Sequence, residues 1–164
     1  MILIALGANL PTERFGEPRA ACEAALAELE ARGIRVVRRS RWYRSRPVPP
    51  SGQPDYVNGV VAVETTLDPR ALLAELHSIE AAFGRERREK GAARTLDLDL
   101  IAYHERVSDG GAGEPVLPHP RLASRAFVLR PLSDVAPDWR HPASGRTLAE
   151  LLADLDPEAP ALPL

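Results

Sequence analysis

The chain has 164 residues, a length that fits one domain burying ~70% of its unfolded surface around a single core. With 45% hydrophobic and 27% charged residues it has the make-up of a folded globular protein, and a net charge of −2 with a pI near 6.1 excludes a broad nucleic-acid surface. The lone Cys22 excludes an internal disulfide, no Cys/His spacing resembles a zinc site, and no apolar run approaches the ~20 residues that cross a bilayer. The expectation is a single cytoplasmic domain over residues 1–164, a monomer with no membrane and no nucleic-acid partner.

Ile2 to Leu6 is fully apolar, the pattern of a strand buried on both faces, and Gly7-Ala8-Asn9 turns the chain at its end. From Pro18 to Arg32, Cys22, Ala25, Leu26 and Leu29 recur at helical spacing, with Pro18 in the first turn and Gly33 past the end. Ile34 to Arg44 reads as one strand, and residues 45–54 are too proline-dense for regular structure. Tyr56 to Thr66 is the next strand, with Val57, Val61 and Val63 on one face and Asn58 on the other. Asp68-Pro69 caps a helix whose Leu72, Leu76, Ile79 and Phe83 form one stripe, and Gly84 ends it. The stretch from Arg94 to Tyr103 reads as the next strand. The order βαβ-βαβ predicts an α+β fold, a ferredoxin-like antiparallel sheet with helices packed on it. Residues 104–116 form a polar, Gly-rich connection, and a C-terminal helical extension follows, with short helices broken at Pro131 and Pro137. Thr147 to Glu150 is a capping box opening the last helix.

The strand after Arg94 carries the chemistry. Leu96, Leu98 and Leu100 point to one face, and Asp97 and Asp99 to the other, with their Cβ atoms ~6–7 Å apart. Two carboxylates so placed can converge on a pair of divalent cations, which sit ~3.5–4 Å apart when they clamp a phosphate. All-oxygen ligands suit Mg²⁺, which binds one or two carboxylates together with substrate phosphates. The plain alternative is that both aspartates only solvate the outer face of a half-buried sheet. What favours the metal is the preceding stretch from Gly84 to Arg94, where Arg85, Arg87, Arg88, Lys90 and Arg94 cluster. Arginine holds phosphate with a planar, bidentate fork.

Several stretches match one family. Ile4-Ala5-Leu6-Gly7-Ala8-Asn9-Leu10 resembles its opening strand and turn, Gln53-Pro54-Asp55-Tyr56-Val57-Asn58 an inner motif, and Arg94-Thr95-Leu96-Asp97-Leu98-Asp99-Leu100 its signature. Pro118-His119-Pro120-Arg121, continuing through Arg125-Ala126-Phe127-Val128-Leu129, resembles its C-terminal motif. The family is 6-hydroxymethyl-7,8-dihydropterin pyrophosphokinase, of folate biosynthesis.

The resemblance implies transfer of the β,γ-diphosphate of ATP to the pterin hydroxymethyl oxygen, with release of AMP and with two Mg²⁺ as cofactors. It implies that Asp97 and Asp99 hold the metals and that Arg85, Arg94 and Arg125 neutralise phosphate charge, with Arg87 and Arg88 acting late and His119 hydrogen-bonding a phosphate. Tyr56 and Phe127 match the ring-stacking pair and Asn58 the edge-reading amide, while Ser45, Pro47 and Val48 supply backbone contacts to the pterin. His77, Glu80 and Leu100 match nucleotide-contacting positions. The chain departs from the pattern at His77, in a loop after Gly84 that has Gly91-Ala92-Ala93 where a tryptophan is common, and at Glu114, which stands where an arginine contacts ATP. Two other classes compete: another metal-dependent nucleotidyltransferase with an Asp-x-Asp site, and a ferredoxin-like RNA-binding module.

Overall fold

In the computed structural model, residues 1–12, 14–46, 52, 54–84, 95–156 and 161–164 are described. The chain runs β1 (Ile2–Ala8), α1 (Pro18–Ala31), β2 (Arg35–Arg39), β3 (Tyr43–Ser45), β4 (Tyr56–Glu64), α2 (Pro69–Ala82) and β5 (Asp97–Tyr103). A small hairpin, β6 (Ser108–Asp109) and β7 (Val116–Leu117), precedes α3 (Ala126–Val135), α4 (Leu148–Ala153) and a terminal β8 (Leu162–Pro163). The architecture is α+β, an antiparallel sheet in the order β5-β1-β4-β3-β8, with β2 also paired to β4.

The apolar run of β1 earns its central place by feeding two cores. Ile4 and Leu6 face α1 and α2, packing with Leu26, Leu29, Leu72, Leu76, Leu98 and Leu100. Leu3 and Ala5 face the other way, onto Val60, Ala62 and Ile101 and the α3 and α4 residues Val128, Leu129, Leu132, Leu148 and Leu151. Both faces of the sheet are covered, as an uninterrupted hydrophobic strand requires. The helix ends follow the sequence closely. Asp68 accepts from Ala71 N–H at 2.8 Å, Gly33 takes a φ of +80°, and Thr147 and Glu150 close a reciprocal capping box. Cys22 is fully buried and burial pushes its thiol up to about 12, so it is an inert core residue.

The structure corrects three expectations. The stretch 34–44 is two strands, because Ser40–Trp42 leaves the ladder. Ser40 Oγ accepts from Val60 N–H at 3.0 Å, and Trp42 lies over Gly59, where a Cβ would come within 2.5 Å of the indole. The indole then reaches α1, donating from Nε1 to Glu23 at 2.8 Å. Pro131 does not break the chain into short helices; it lies inside α3. One lost backbone hydrogen bond is outweighed by the buried stripe Val128, Leu129, Leu132 and Val135. The 104–116 connection contains the β6–β7 hairpin, tied to α2 by a 3.5 Å ion pair between Arg70 and Glu114.

At the sheet edge, β8 adds to β3, with Leu164 N–H donating to Trp42 O at 3.0 Å. At the far end of α3, Asp134 accepts from Tyr43 OH at 2.8 Å and pairs with Arg41, fastening that helix to β3. Among the described residues, no helix is long and apolar enough to cross a membrane.

Candidate active site

The sheet register assembles the site. Asp97 pairs with Gly7 and Asp99 with Ala5 across β5 and β1, while Gly7 pairs with Asn58 across β1 and β4. Directly opposed residues share a face, so Asp97, Gly7 and Asn58 lie in one row. Because Gly7 has no side chain, the Asn58 carboxamide can lie over it, where a Cβ would come within 2.9 Å of Nδ2. Ser45 and Tyr56, opposed across β3 and β4, continue the same face. The N-terminal end of α3 forms the roof, bringing Arg125 and Phe127 over the gap. Arg125 Nη1 lies 3.5 Å from Asp99 Oδ2, and its guanidinium carbon is 5.4 Å from the centre of the Phe127 ring. The cleft between them, of about 160 Å³, is lined by Tyr56, Phe127, Asn58, Ser45, Asp97 and Asp99 among others. That volume is below the ~300–1,000 Å³ of drug-sized ligand sites, so it suits one small ring system.

A second cleft opens on the other side of the same aspartates, between α2, the start of β5 and the segment before α3. It contains His77, Glu80, His119 and Arg121, and it shares Asp97, Asp99 and Arg125 with the first. Glu80 is 2% exposed and accepts from Leu98 N–H at 2.9 Å, which ties α2 to the backbone between the two aspartates. The two ends of the arginine-rich segment are also tied, since Thr95 Oγ1 donates to Phe83 O at 3.0 Å, and Phe83 stacks on Phe15 at 4.1 Å.

His119 is held by its own backbone, its N–H donating to Ile101 O at 2.8 Å. Its Nδ1 accepts from Arg121 N–H at 3.2 Å, which leaves the proton of the neutral ring on Nε2. Burial, then the positive charges of Arg125 and Arg121, lower its pKa to about 4. At neutral pH the ring is therefore an uncharged N–H donor. The folded pKa lies below the unfolded value of ~6.5, so the unfolded chain binds the extra proton. The stabilisation is complete above pH 6.5 and is lost as the pH falls through 4. Between pH 7 and 4.5 the wild-type protein is expected to lose about 1–2 kcal/mol more than His119→Gln, allowing for solvent screening of a partly exposed ring. Urea unfolding at the two pH values measures this, and equal losses would refute it.

The structure thus brings Ser45, Tyr56, Asn58, Phe127, Asp97, Asp99 and Arg125 around one cleft, and His77, Glu80 and His119 around the other. Leu100 lines neither cleft: its side chain is 3% exposed, packed in the core beside Leu98. Pro47, Val48, Arg85, Arg87, Arg88 and Arg94 lie outside the described residues. Sequence reasoning missed Arg46 and Arg121, which line the two clefts, and the part played by Gly7 in making room for the Asn58 amide. Only the pairing of Gly7 with both Asp97 and Asn58 reveals that part. Glu114, held by Arg70 at the hairpin, is engaged there.

Asp97 and Asp99 are both half-buried on one face of one strand. Among the described residues, no group of three or more His, Cys, Asp or Glu gathers as a metal cage. A donor set of two carboxylates, open to a cleft, fits a hard divalent cation that takes its remaining ligands from water and phosphate oxygens.

Comparison with known proteins accords with this geometry. Residues 3–137 match the family described as 7,8-dihydro-6-hydroxymethylpterin-pyrophosphokinase (HPPK). The chain is 47% identical over 148 residues to a 2-amino-4-hydroxy-6-hydroxymethyldihydropteridine pyrophosphokinase of Synechocystis sp., covering 87% of this chain and 74% of that one. It is 44% identical over 153 residues to the Pseudomonas aeruginosa protein of the same name, covering 93% and 90%. Among solved structures it resembles Plasmodium falciparum HPPK-DHPS crystallised with pteroate, at a TM-score of 0.70 and 12% identity. That likeness is one of fold, and it covers 93% of this chain but 43% of the larger protein. A family match across most of the chain, with relatives above two-fifths identity over about three quarters or more of their length, places this protein in the 7,8-dihydro-6-hydroxymethylpterin-pyrophosphokinase family.

Proposed function

We propose that this protein moves the β,γ-diphosphate of ATP, as a unit, to the hydroxymethyl oxygen of 6-hydroxymethyl-7,8-dihydropterin in folate biosynthesis. The new bond joins that oxygen to the β-phosphorus. The bond between the β-phosphorus and the bridging oxygen on the α side breaks, its electron pair leaves on AMP, and the hydroxyl proton passes to solvent. One observation carries the reading: an aromatic, amide-lined cleft and a cleft of polar and cationic side chains meet at Asp97, Asp99 and Arg125.

Each residue then has a physical task. Tyr56 and Phe127 hold the flat ring between their faces, and Asn58 reads its polar edge. Asp97 and Asp99 would hold two Mg²⁺, which when bound supply charge neutralisation on the phosphate oxygens. Arg125, kept at the junction by Asp99 before any substrate arrives, places its guanidinium where negative charge shifts toward the leaving AMP. His119 donates its Nε2–H to a phosphate oxygen as a neutral group, so it adds a hydrogen bond without a proton equilibrium near pH 7. His77 lines the nucleotide side, and Glu80 acts there through its bond to Leu98. Arg85, Arg87 and Arg94 would complete the cationic surround. Phosphoryl-type transfer needs this positioning and charge balance more than covalent help from the protein.

We read the sheet as ferredoxin-like, since α1 and α2 each join strands separated by one antiparallel strand, and α3 and α4 as a C-terminal helical extension of a single pyrophosphokinase domain. Incubation with ATP, MgCl₂ and 6-hydroxymethyl-7,8-dihydropterin is expected to give AMP and pterin diphosphate in equal amounts by ion-exchange chromatography. Pyrophosphate as the product would point to a nucleotidyltransferase instead, and ADP would sink both readings.

A further inference from the structure

Asn58 and Ser45 are 5% and 3% exposed, so both polar side chains must find partners within the fold. Ser45 Oγ donates to Asn58 Oδ1 at 2.6 Å. On the other side, Asn58 Nδ2 lies over Gly7, where an added Cβ would come within 2.9 Å of it. Among the described residues, the Ser45 hydroxyl has no second acceptor, and Nδ2 has no protein partner and opens to the cleft. The carboxamide is therefore fixed in one sense, with Oδ1 toward Ser45 and Nδ2 toward Gly7.

We propose that the Ser45 hydroxyl, through this bond, sets the hydrogen-bonding sense of Asn58 and makes the cleft select a ring edge carrying an oxo acceptor beside an N–H. The inference rests on the pterin reading above. A pterin edge offers a carbonyl oxygen next to a ring N–H, complementary to an amide whose Nδ2 donates and whose Oδ1 keeps one lone pair free. A 2,4-diaminopteridine has the reverse edge, an amino donor beside a bare ring nitrogen. To accept it, Asn58 must turn over. Nδ2 would then donate to Ser45 Oγ, and the hydroxyl proton, buried with no other acceptor, would be left unpaired. A site built to hydrogen-bond one edge rejects the reversed edge for this reason. Without the hydroxyl, either sense of the amide is equally good. Ser45 is thus a positioning residue that determines specificity, acting through Asn58.

The test compares wild-type protein with Ser45→Thr and Ser45→Val, which share a shape and differ in the hydroxyl, and with Ser45→Ala. Binding of 6-hydroxymethylpterin and of 2,4-diamino-6-hydroxymethylpteridine is titrated at pH 7.5, with Mg²⁺ and a non-hydrolysable ATP analogue present. Wild type and Ser45→Thr are expected to favour the oxo ring. In Ser45→Val and Ser45→Ala that preference should fall about tenfold, the energy of one unpaired buried donor, with affinity for the ATP analogue unchanged. Ser45→Ala serves should Ser45→Val fail to fold. A folded hydroxyl-free variant that keeps the wild-type preference overturns the inference and leaves the pterin reading intact. Wild-type protein that binds neither ring overturns the pterin reading, and this inference with it.

Discussion

Asp97→Ala and Asp99→Ala are each expected to lower kcat by about 10³-fold or more, while the protein stays folded. Both carboxylates are half-buried at a cleft rather than packed in a core, so their loss leaves no cavity behind. The Asp99–Arg125 pair is partly exposed, with side-chain exposures of 32% and 21%, and pairs of that kind contribute about 1 kcal/mol or less. In a chain of this size the melting temperature should therefore move by no more than about 3 °C. Asp99→Asn keeps the shape and removes the charge, so it should lose nearly as much rate as Asp99→Ala. Steady-state release of AMP, with thermal unfolding run beside it, decides the matter. An alanine variant that retains more than a tenth of the wild-type rate would count heavily against two metals held by this pair.

Glu80 is expected to behave differently, losing stability and rate together. Its carboxylate is buried and holds the amide of Leu98, the residue between the two aspartates. Glu80→Leu leaves that amide without its acceptor and is expected to cost about 2–4 kcal/mol, lowering the melting temperature by about 4–16 °C. Because Leu98 sets the position of its neighbours, kcat should fall as well, even at saturating ATP. Glu80→Gln retains an acceptor oxygen and should recover most of both losses. The sequence alone suggested that Glu80 contacts the nucleotide. A Glu80→Leu protein of unchanged stability with only a raised KM for ATP would restore that simpler role.

Much of the fold was legible because it depends on local chemistry. The apolar run of β1, the Asp68 cap with Pro69 behind it, and the Thr147–Glu150 box each carry their instruction within a few residues. What escaped depends on distant partners. Valines and a tryptophan from 34 to 44 read as one strand, and nothing nearby tells that the indole must lie over Gly59. A proline in an apolar stretch reads as a break until the sheet that α3 covers is known. A two-residue strand containing Pro163 gives no periodic signal at all. The site divides in the same way. Asp97 and Asp99 declare themselves by alternating with leucines, whereas Arg46 looks like any other arginine in an arginine-rich chain and Arg121, though within a matched motif, carries no sign of the cleft it lines. Leu100 shows the reverse: motif position suggested a contact, whereas its side chain packs in the core beside Leu98 and lines neither cleft.

The bond from Thr95 to the carbonyl of Phe83 has an evolutionary corollary. It closes the stem of the arginine-rich stretch independently of what that stretch contains, and the Phe15–Phe83 stack braces the same point. Lengthening a chain segment between two joined ends is inexpensive, about 0.6 kcal/mol for each doubling. Drift can therefore add, delete or exchange residues between 84 and 95 while the pairing of Asp97 with Gly7 stays in step. The stretch can be re-tuned as a module, and a tryptophan gained or lost there need not disturb the register of β5 with β1.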